Sequence, residues 1–465
     1  MKTLLLFFIA FLFFLLLALY ALFIHEDDTI TQAQAGLAAL IVMLGVLPSF
    51  VSLTDRREAG LLPLMPLHGL FYAITFGMPV FSIKMNWSDV NSAEITDALA
   101  LTALGLIFLY LGYYASRWLY SRSLRPFRFL NDITLGRQTG TAWMLYVTSM
   151  LLQLVPSLGS LLSVGQLSTP LGYLSIGMLY LRALDGAVSK KHLILLTTAI
   201  GFSFTIKLLS GSLAQPVFLL VFLGIIYWGK KRSIPFGFVL VCGVILLVLL
   251  EPVKKIYRDY TTAESSPQTY VYKARTLWKA AHDYYADEDI ALSDGIDYAV
   301  VNRTGHSVAV FANIIHMTPE QVPYWMGGSY QTLWTSFIPR FLWSGKPEAT
   351  IGNEFGHRYN FLHFADESTS HNLPWLPEFY ANFGVFGVVG GMFAVGILFR
   401  FLLQKLSVPI SCGIEYVLGA TVILSLFYPE SNFALMVGGV LPMYVALLIL
   451  LRLSTFGSRP PVTER

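Results

Sequence analysis

The chain has 465 residues, a formal net charge of +3 and a mean hydropathy of +0.61, with 55% hydrophobic and 13% charged residues. Soluble domains carry about 25% charged residues, so most of this chain belongs in lipid, and so small a positive charge gives no footing for a nucleic-acid partner. Cys242 and Cys412 lie in separate apolar runs, which excludes a disulfide framework or a cysteine zinc cluster and makes a thiol nucleophile facing water an unsuitable reading.

Runs of about 20 apolar residues span a bilayer. Twelve candidates lie near 3–24, 33–53, 60–82, 97–116, 140–163, 168–184, 192–210, 213–229, 234–252, 376–403, 408–428 and 432–452. The first is longer than a signal-peptide core and lacks a small-residue cleavage site, so it reads as a retained helix. The third and sixth are the weakest, being short or interrupted by Pro, Gly or His. The connections alternate in charge. "TDRREA" (54–59), "SRWLYSRSLRPFRFLNDITLGRQ" (116–138), "RALDGAVSKKH" (182–192), "GKKRS" (229–233) and "RFLLQK" (400–405) cluster Lys and Arg, while "HEDD" (25–28), "KMNWSDVNSAEITD" (84–97), "SGS" (210–212) and "PESN" (429–432) are acidic or nearly neutral. The positive-inside rule then predicts an even number of spans with both termini cytoplasmic; a count of eleven or thirteen also fits the hydropathy. The expectation is an all-α polytopic membrane protein in three parts: spans over 1–252, an exterior segment 253–375, and the last spans with a cytoplasmic C-terminus over 376–465.

The exterior segment holds six of the nine histidines and five of the nine tryptophans, so polar chemistry is concentrated there. Its first half, roughly 268–317, has helical patterning. From Thr318 to Trp375 it is dense in Gly, Pro and aromatics and reads as packed irregular chain, which at such length is usually functional.

Within "NRTGHSVAVF" (302–311), Arg303 and His306 are three residues apart, on one helix face. They offer either an anion contact beside a titratable imidazole or two solvated side chains. In "SFIPRFLWSGKPE" (336–348), Pro339 and Pro347 stiffen the backbone that presents Arg340 and Lys346. Arg suits bidentate phosphate recognition and Lys adds a point charge. Trp343 and Phe341 suit a sugar face, or an anchor at the membrane interface. Lys207 lies within an apolar span about one turn from its outer end, a functional position by default unless it snorkels to the headgroups. Glu378 falls near the outer end of the tenth span with Asn382 one turn further in, and is read as facing an interior cavity. Gly384, Gly387 and Gly391 form a smooth flank for close helix packing. The acidic run "YADED" (285–289) reads as solvated. The sequence has no Walker loop, no dinucleotide fingerprint and no HExxH helix.

Taken together, "YWMGGSY" (324–330), "FIPRFLWSGKPE" (337–348), "GNEFGHRY" (352–359), "STSHNLPWLPEFYANFG" (368–384) and the upstream Arg303 and His306 resemble the bacterial O-antigen polymerases (Wzy-like), which polymerise oligosaccharide repeat units. The motifs cover about 100 residues; the first eight spans match only as a hydropathy profile. "WSGKP" departs from the "WPDKP"-like form expected there, at Ser344 and Gly345. The resemblance implies a GT-C-like fold of about twelve spans in the bacterial inner membrane. It also implies glycosyl transfer at the outer face, between a glycan on undecaprenyl pyrophosphate and a lipid-linked repeat unit. Related O-antigen ligases pass the glycan to another acceptor, and a lipid-linked oligosaccharide flippase is the competing class. Carried onto this chain, Arg303, Arg340, His306, His371 and Glu378 are the catalytic candidates. Lys207, Lys346, Trp343, Tyr330, Asn372, Tyr380 and Asn382 are the substrate-binding ones. No metal or other cofactor is called for; the implied partners are the lipid-linked glycan, membrane lipids, a chain-length regulator and a flippase.

Overall fold

The computed structural model describes residues 30–55, 58–81, 91–120, 135–155, 157–158, 165–233, 242–243, 245–262, 269–286, 306–338, 343, 345–346, 350–367 and 369–455. These residues are all-α. The chain runs through α1 (Gln32–Thr54), α2 (Leu64–Phe81), α3 (Ser92–Tyr120), α4 (Leu135–Leu154), α5 (Ser168–Leu184), α6 (Lys190–Leu208) and α7 (Ala214–Lys231). The next stretch contributes α8 (Glu251–Thr262), α9 (Tyr270–Tyr285), α10 (His306–Met317), α11 (Gln331–Ser336) and α12 (Ile351–Arg358). The chain then returns through α13 (Trp375–Leu406), α14 (Ile414–Ile423) and α15 (Phe433–Thr455).

Six helices among the described residues are long and apolar enough to cross a membrane: α1, α2, α3, α6, α13 and α15. Each coincides with an expected span. The expected spans 140–163, 168–184, 213–229 and 408–428 correspond to α4, α5, α7 and α14, which are helical but shorter or more polar. α14 has only ten residues before a 3-10 turn at Leu424–Leu426. The run 3–24 and most of 234–244 lie outside the described residues.

Small residues set the closest helix contacts. A Cβ on Gly112 of α3 would overlap the carbonyl of Phe393 in α13, and one on Gly396 would overlap that of Leu109. In lipid, where apolar burial does little to join helices, such close backbone approach supplies the van der Waals contact that does. At the end where Lys and Arg cluster, Arg400 of α13 pairs with Glu58 (2.8 Å), and Tyr113 of α3 donates to the same carboxylate (2.7 Å), all three buried.

α13 is not continuous. Phe383 (φ −142°, ψ 18°) and Gly384 (φ 61°, ψ −144°) break it. The break frees two carbonyls, which accept from the loop before α11: Trp325 N–H donates to Ala381 O (2.9 Å) and Met326 N–H to Asn382 O (3.2 Å). Gly387 and Gly391 were expected to pack a neighbouring helix. They face Phe379 of their own helix instead, because the first two turns bend back over them. Gly384 has a backbone that side chains rarely adopt, and its Cβ would lie 2.8 Å from Tyr324 Oη. Gly384→Ala is expected to destabilise the protein by about 1–3 kcal/mol, read as a lower melting temperature in detergent.

The segment 253–375 does not stand apart from the bundle. α10 is buried against α3 and α13 through Val308, Phe311, Ala312 and Ile314, and His316 pairs with Glu94 of α3 at 3.0 Å. Among the described residues, the long stretch after it forms α11, α12 and a 3-10 turn at Gly328–Tyr330.

Candidate functional site

His306 and Ser307 lie on α10, and α13 begins just after Pro374, its N-cap. α10 and the start of α13 meet at a polar cavity of about 240 Å³ lined by His306, Ser307, Val310, Ser370, His371, Asn372, Pro374 and Glu430. Two residues expected to act in chemistry, and one expected to bind substrate, are thus brought together across 65 positions of sequence. The rings of His306 and His371 are 5.5 Å apart. The N-terminus of α13 carries partial positive charge and exposed N–H groups, which favours an anion. Glu430 supplies the opposing carboxylate. The cavity is smaller than the roughly 300–1,000 Å³ that encloses drug-sized ligands; it has room for one sugar ring or a diphosphate, with the rest of any larger substrate outside.

"GNEFGHRY" holds one wall in place. Asn353 Nδ2 donates to Asp366 O (2.9 Å) and Thr369 O (2.8 Å), and His357 Nε2 donates to Asp366 O (2.9 Å). His371 N–H donates to Gly352 O (3.0 Å), where a Cβ on Gly352 would strike Ser370. The His371 ring stacks on Phe361 at 4.5 Å. Its Nδ1 lies 3.1 Å from Asn372 O. A carbonyl only accepts, so Nδ1 carries the hydrogen and Nε2 keeps a lone pair. Burial lowers the His371 pKa below the ordinary imidazole value, with the Asn372 carbonyl opposing it.

That shift predicts a pH dependence. A base with a lowered pKa stays neutral to lower pH, so the acidic limb of a pH–rate profile falls below the usual imidazole value of about 6.5. His371→Asn should lower the rate and abolish that limb, as measured from pH 5 to pH 8 in one buffer series.

Glu378 does not face this cavity, which corrects the expectation for it. The bend in α13 turns it into the protein, where it is fully buried. Its Oε1 accepts from Ser329 Oγ (2.6 Å) and Asn432 Nδ2 (2.7 Å), and its Oε2 from Phe433 N–H (2.7 Å). Asn382, also fully buried, donates to Ser329 Oγ (2.9 Å) and to Glu378 O (2.8 Å), and accepts from Gly327 N–H (2.9 Å). The two side chains form a clasp that ties "YWMGGSY" to the start of α15. Tyr330 flanks it, its ring 6.4 Å from Phe379 and 6.1 Å from Phe433. Burial, and then the Glu378 carboxylate, raise the Tyr330 pKa, so this hydroxyl stays neutral. Tyr380 packs edge-on against Phe311 (5.8 Å) and Tyr324 (6.5 Å).

The remaining candidates are dispersed. Lys207 is buried in the last turn of α6 with its ammonium 4.6 Å over the Tyr173 ring, a cation–π contact. No carboxylate pairs with it among the described residues. Lys346 Nζ donates to Ile338 O (3.1 Å), and Trp343 is exposed. Arg303, Arg340 and the acidic run from Asp287 lie outside the described residues. Among those described, no three His, Cys, Asp or Glu side chains are placed to hold a metal ion. Sequence reasoning missed Glu430 and Asn432; their signal was an acidic connection between two apolar runs. It also missed Ser329, whose motif was quoted only for its outline.

A family model described as a domain of unknown function, DUF8712, matches residues 129–456, more than two thirds of the chain. No curated protein and no solved structure matches it.

Proposed function

The chain belongs to the DUF8712 family, and from the geometry of its cavity we propose that it is a membrane glycosyltransferase that polymerises undecaprenyl-pyrophosphate-linked repeat units. The observation that carries this reading is the meeting of His306 with His371–Asn372 at the N-terminus of α13, His306 being three residues beyond Arg303 in the sequence. The resemblance of the surrounding motifs to O-antigen polymerases supplies the substrate class. In this reading the protein is a GT-C-like bundle of about twelve spans in the bacterial inner membrane, with both termini cytoplasmic. The cavity walls come from the segment 253–375 and from "PESN", both of which the charge alternation puts on the outer side.

The chemistry follows from the charges. The acceptor hydroxyl oxygen attacks the anomeric carbon and the bond from that carbon to the pyrophosphate oxygen breaks. The hydroxyl proton passes to the lone pair on His371 Nε2. Negative charge grows on the pyrophosphate, where the N-terminus of α13 and the cations Arg303, Arg340 and Lys346 stabilise it most once water is excluded. Such a leaving group needs little proton assistance. The Glu378–Asn382 clasp fixes the loop that leads into the cationic strip.

The test is reconstitution of purified protein in liposomes with lipid-linked repeat unit. A ladder of products spaced by one repeat is expected. A single transfer to an acceptor without the lipid carrier, or no transfer at all, would overturn the polymerase reading.

A further inference from the structure

The helical hairpin of α8 and α9 is not used by the cavity, yet it is anchored at several points. Tyr270 Oη, at the start of α9, donates to Gln153 O (3.1 Å), one residue before the end of α4. Tyr285 Oη, at its last residue, donates to Leu249 O (2.7 Å) in the apolar turn Ile245–Leu250. In α8, Tyr257 Oη donates to Leu209 O (2.7 Å), directly after α6. Tyr146 of α4 donates to Ala199 O of α6 (2.9 Å) several turns below, a side-chain tie between the two helices. α9 has 16 residues, about 24 Å of helix. Its first residue is tied to the end of α4, and its last to the apolar turn that leads directly into α8.

Its side chains divide accordingly. Leu277, Ala280 and Tyr284 pack on Val253 and Tyr257 of α8. Val271, Ala274, Trp278 and Tyr285 recur at helical spacing on another face, flush with the tyrosine ties. Val271 is 63% and Trp278 78% exposed. Arg275 and His282 flank that stripe, and both are exposed. An exposed Trp on an apolar stripe bordered by an arginine is the composition of a helix lying in a membrane interface.

We propose that α9 is a membrane-surface helix. It seats Trp278 and Val271 among the lipids of the leaflet at the α4 and α6 ends, the outer one by the charge alternation, with Arg275 against anionic phosphate headgroups. This needs only that the bundle sits in a bilayer, and it stands or falls independently of the glycosyl-transfer reading.

The test uses the full chain in nanodiscs of phosphatidylethanolamine and phosphatidylglycerol, with Cys242→Ser and Cys412→Ser. Nitroxide labels are placed one at a time on Trp278→Cys, Val271→Cys and Asp283→Cys. Power saturation compares oxygen, which concentrates in lipid, with a nickel chelate, which stays in water. Labels at 278 and 271 should be several-fold less accessible to the chelate than the label at 283. Replacing phosphatidylglycerol with phosphatidylcholine, or introducing Arg275→Gln, should move the 278 label toward water. Two labelled positions guard against one variant failing to fold. Equal chelate access at 278, 271 and 283 would overturn the proposal. So would water access at 278 that is lost only when polymeric glycan is added, which would assign the stripe to sugar.

Discussion

Glu378→Ala is expected to destabilise the protein by roughly 2–4 kcal/mol, since three buried donors lose their acceptor at once. Ser329 Oγ, Asn432 Nδ2 and Phe433 N–H all end on this carboxylate. Hydrogen bonds within membrane proteins average only about 0.6 kcal/mol. Here the orphaned donors stay dry, because Glu378, Ser329 and Asn432 are all buried, and that raises the cost. Glu378→Gln keeps the shape, but its single carbonyl cannot accept from all three donors and its amide must face one of them. It should fall between the wild type and the alanine variant. Thermal unfolding in detergent, followed by size-exclusion chromatography, gives the ranking. An alanine variant as stable as the wild type, yet without any transfer, would return the carboxylate to a catalytic role.

The outline of the bundle was readable in sequence because membrane insertion writes two separate signals, apolar length and loop charge. α1, α3, α13 and α15 carry the first strongly, α2 and α6 less so. α4 opens with "LGRQTGTA", and α14 is ten residues long, so their place depends on packing rather than on hydropathy. In the site, His306, His371 and Asn372 were found through motifs, and the fold joins them. The error at Glu378 had a definite cause. A continuous helix puts that side chain on a cavity-facing stripe, whereas the break at Phe383–Gly384 swings the first two turns inward. A glycine in an apolar helix reads as a packing residue, and nothing local distinguishes one that takes φ 61°. Glu430 was hidden for a different reason: its meaning comes from the cavity it shares with His306, more than 100 residues earlier in the chain. The Glu58–Arg400 pair was missed because each partner, taken alone, belongs to an ordinary positively charged connection.

The largest functional effect is expected at the arginines. Arg303 precedes the cavity residue His306 by three positions in the sequence. Arg340 comes from the proline-stiffened strip, whose start, α11, packs on α15 beside the clasp. Removing one preorganised donor to a developing negative charge typically costs about 10²–10³ in rate. Arg303→Ala and Arg340→Ala should each lose that much polymer formation while membrane levels of the protein are unchanged. Arg340→Lys should recover little, because an ammonium cannot reproduce the two parallel hydrogen bonds of a guanidinium on phosphate. A leaving group neutralised by arginine and lysine would also leave polymerisation insensitive to excess chelator, and Asp287→Ala with Asp289→Ala nearly silent. Three results bear on this differently. Full-length polymer from both alanine variants would remove the arginines from the reaction. Inhibition by chelator, reversed by magnesium, would transfer charge neutralisation to a metal held by carboxylates. Loss of activity matched by loss of folded protein would make the arginines structural, and the melting curve of each variant, taken beside its rate, tells that outcome from the first two.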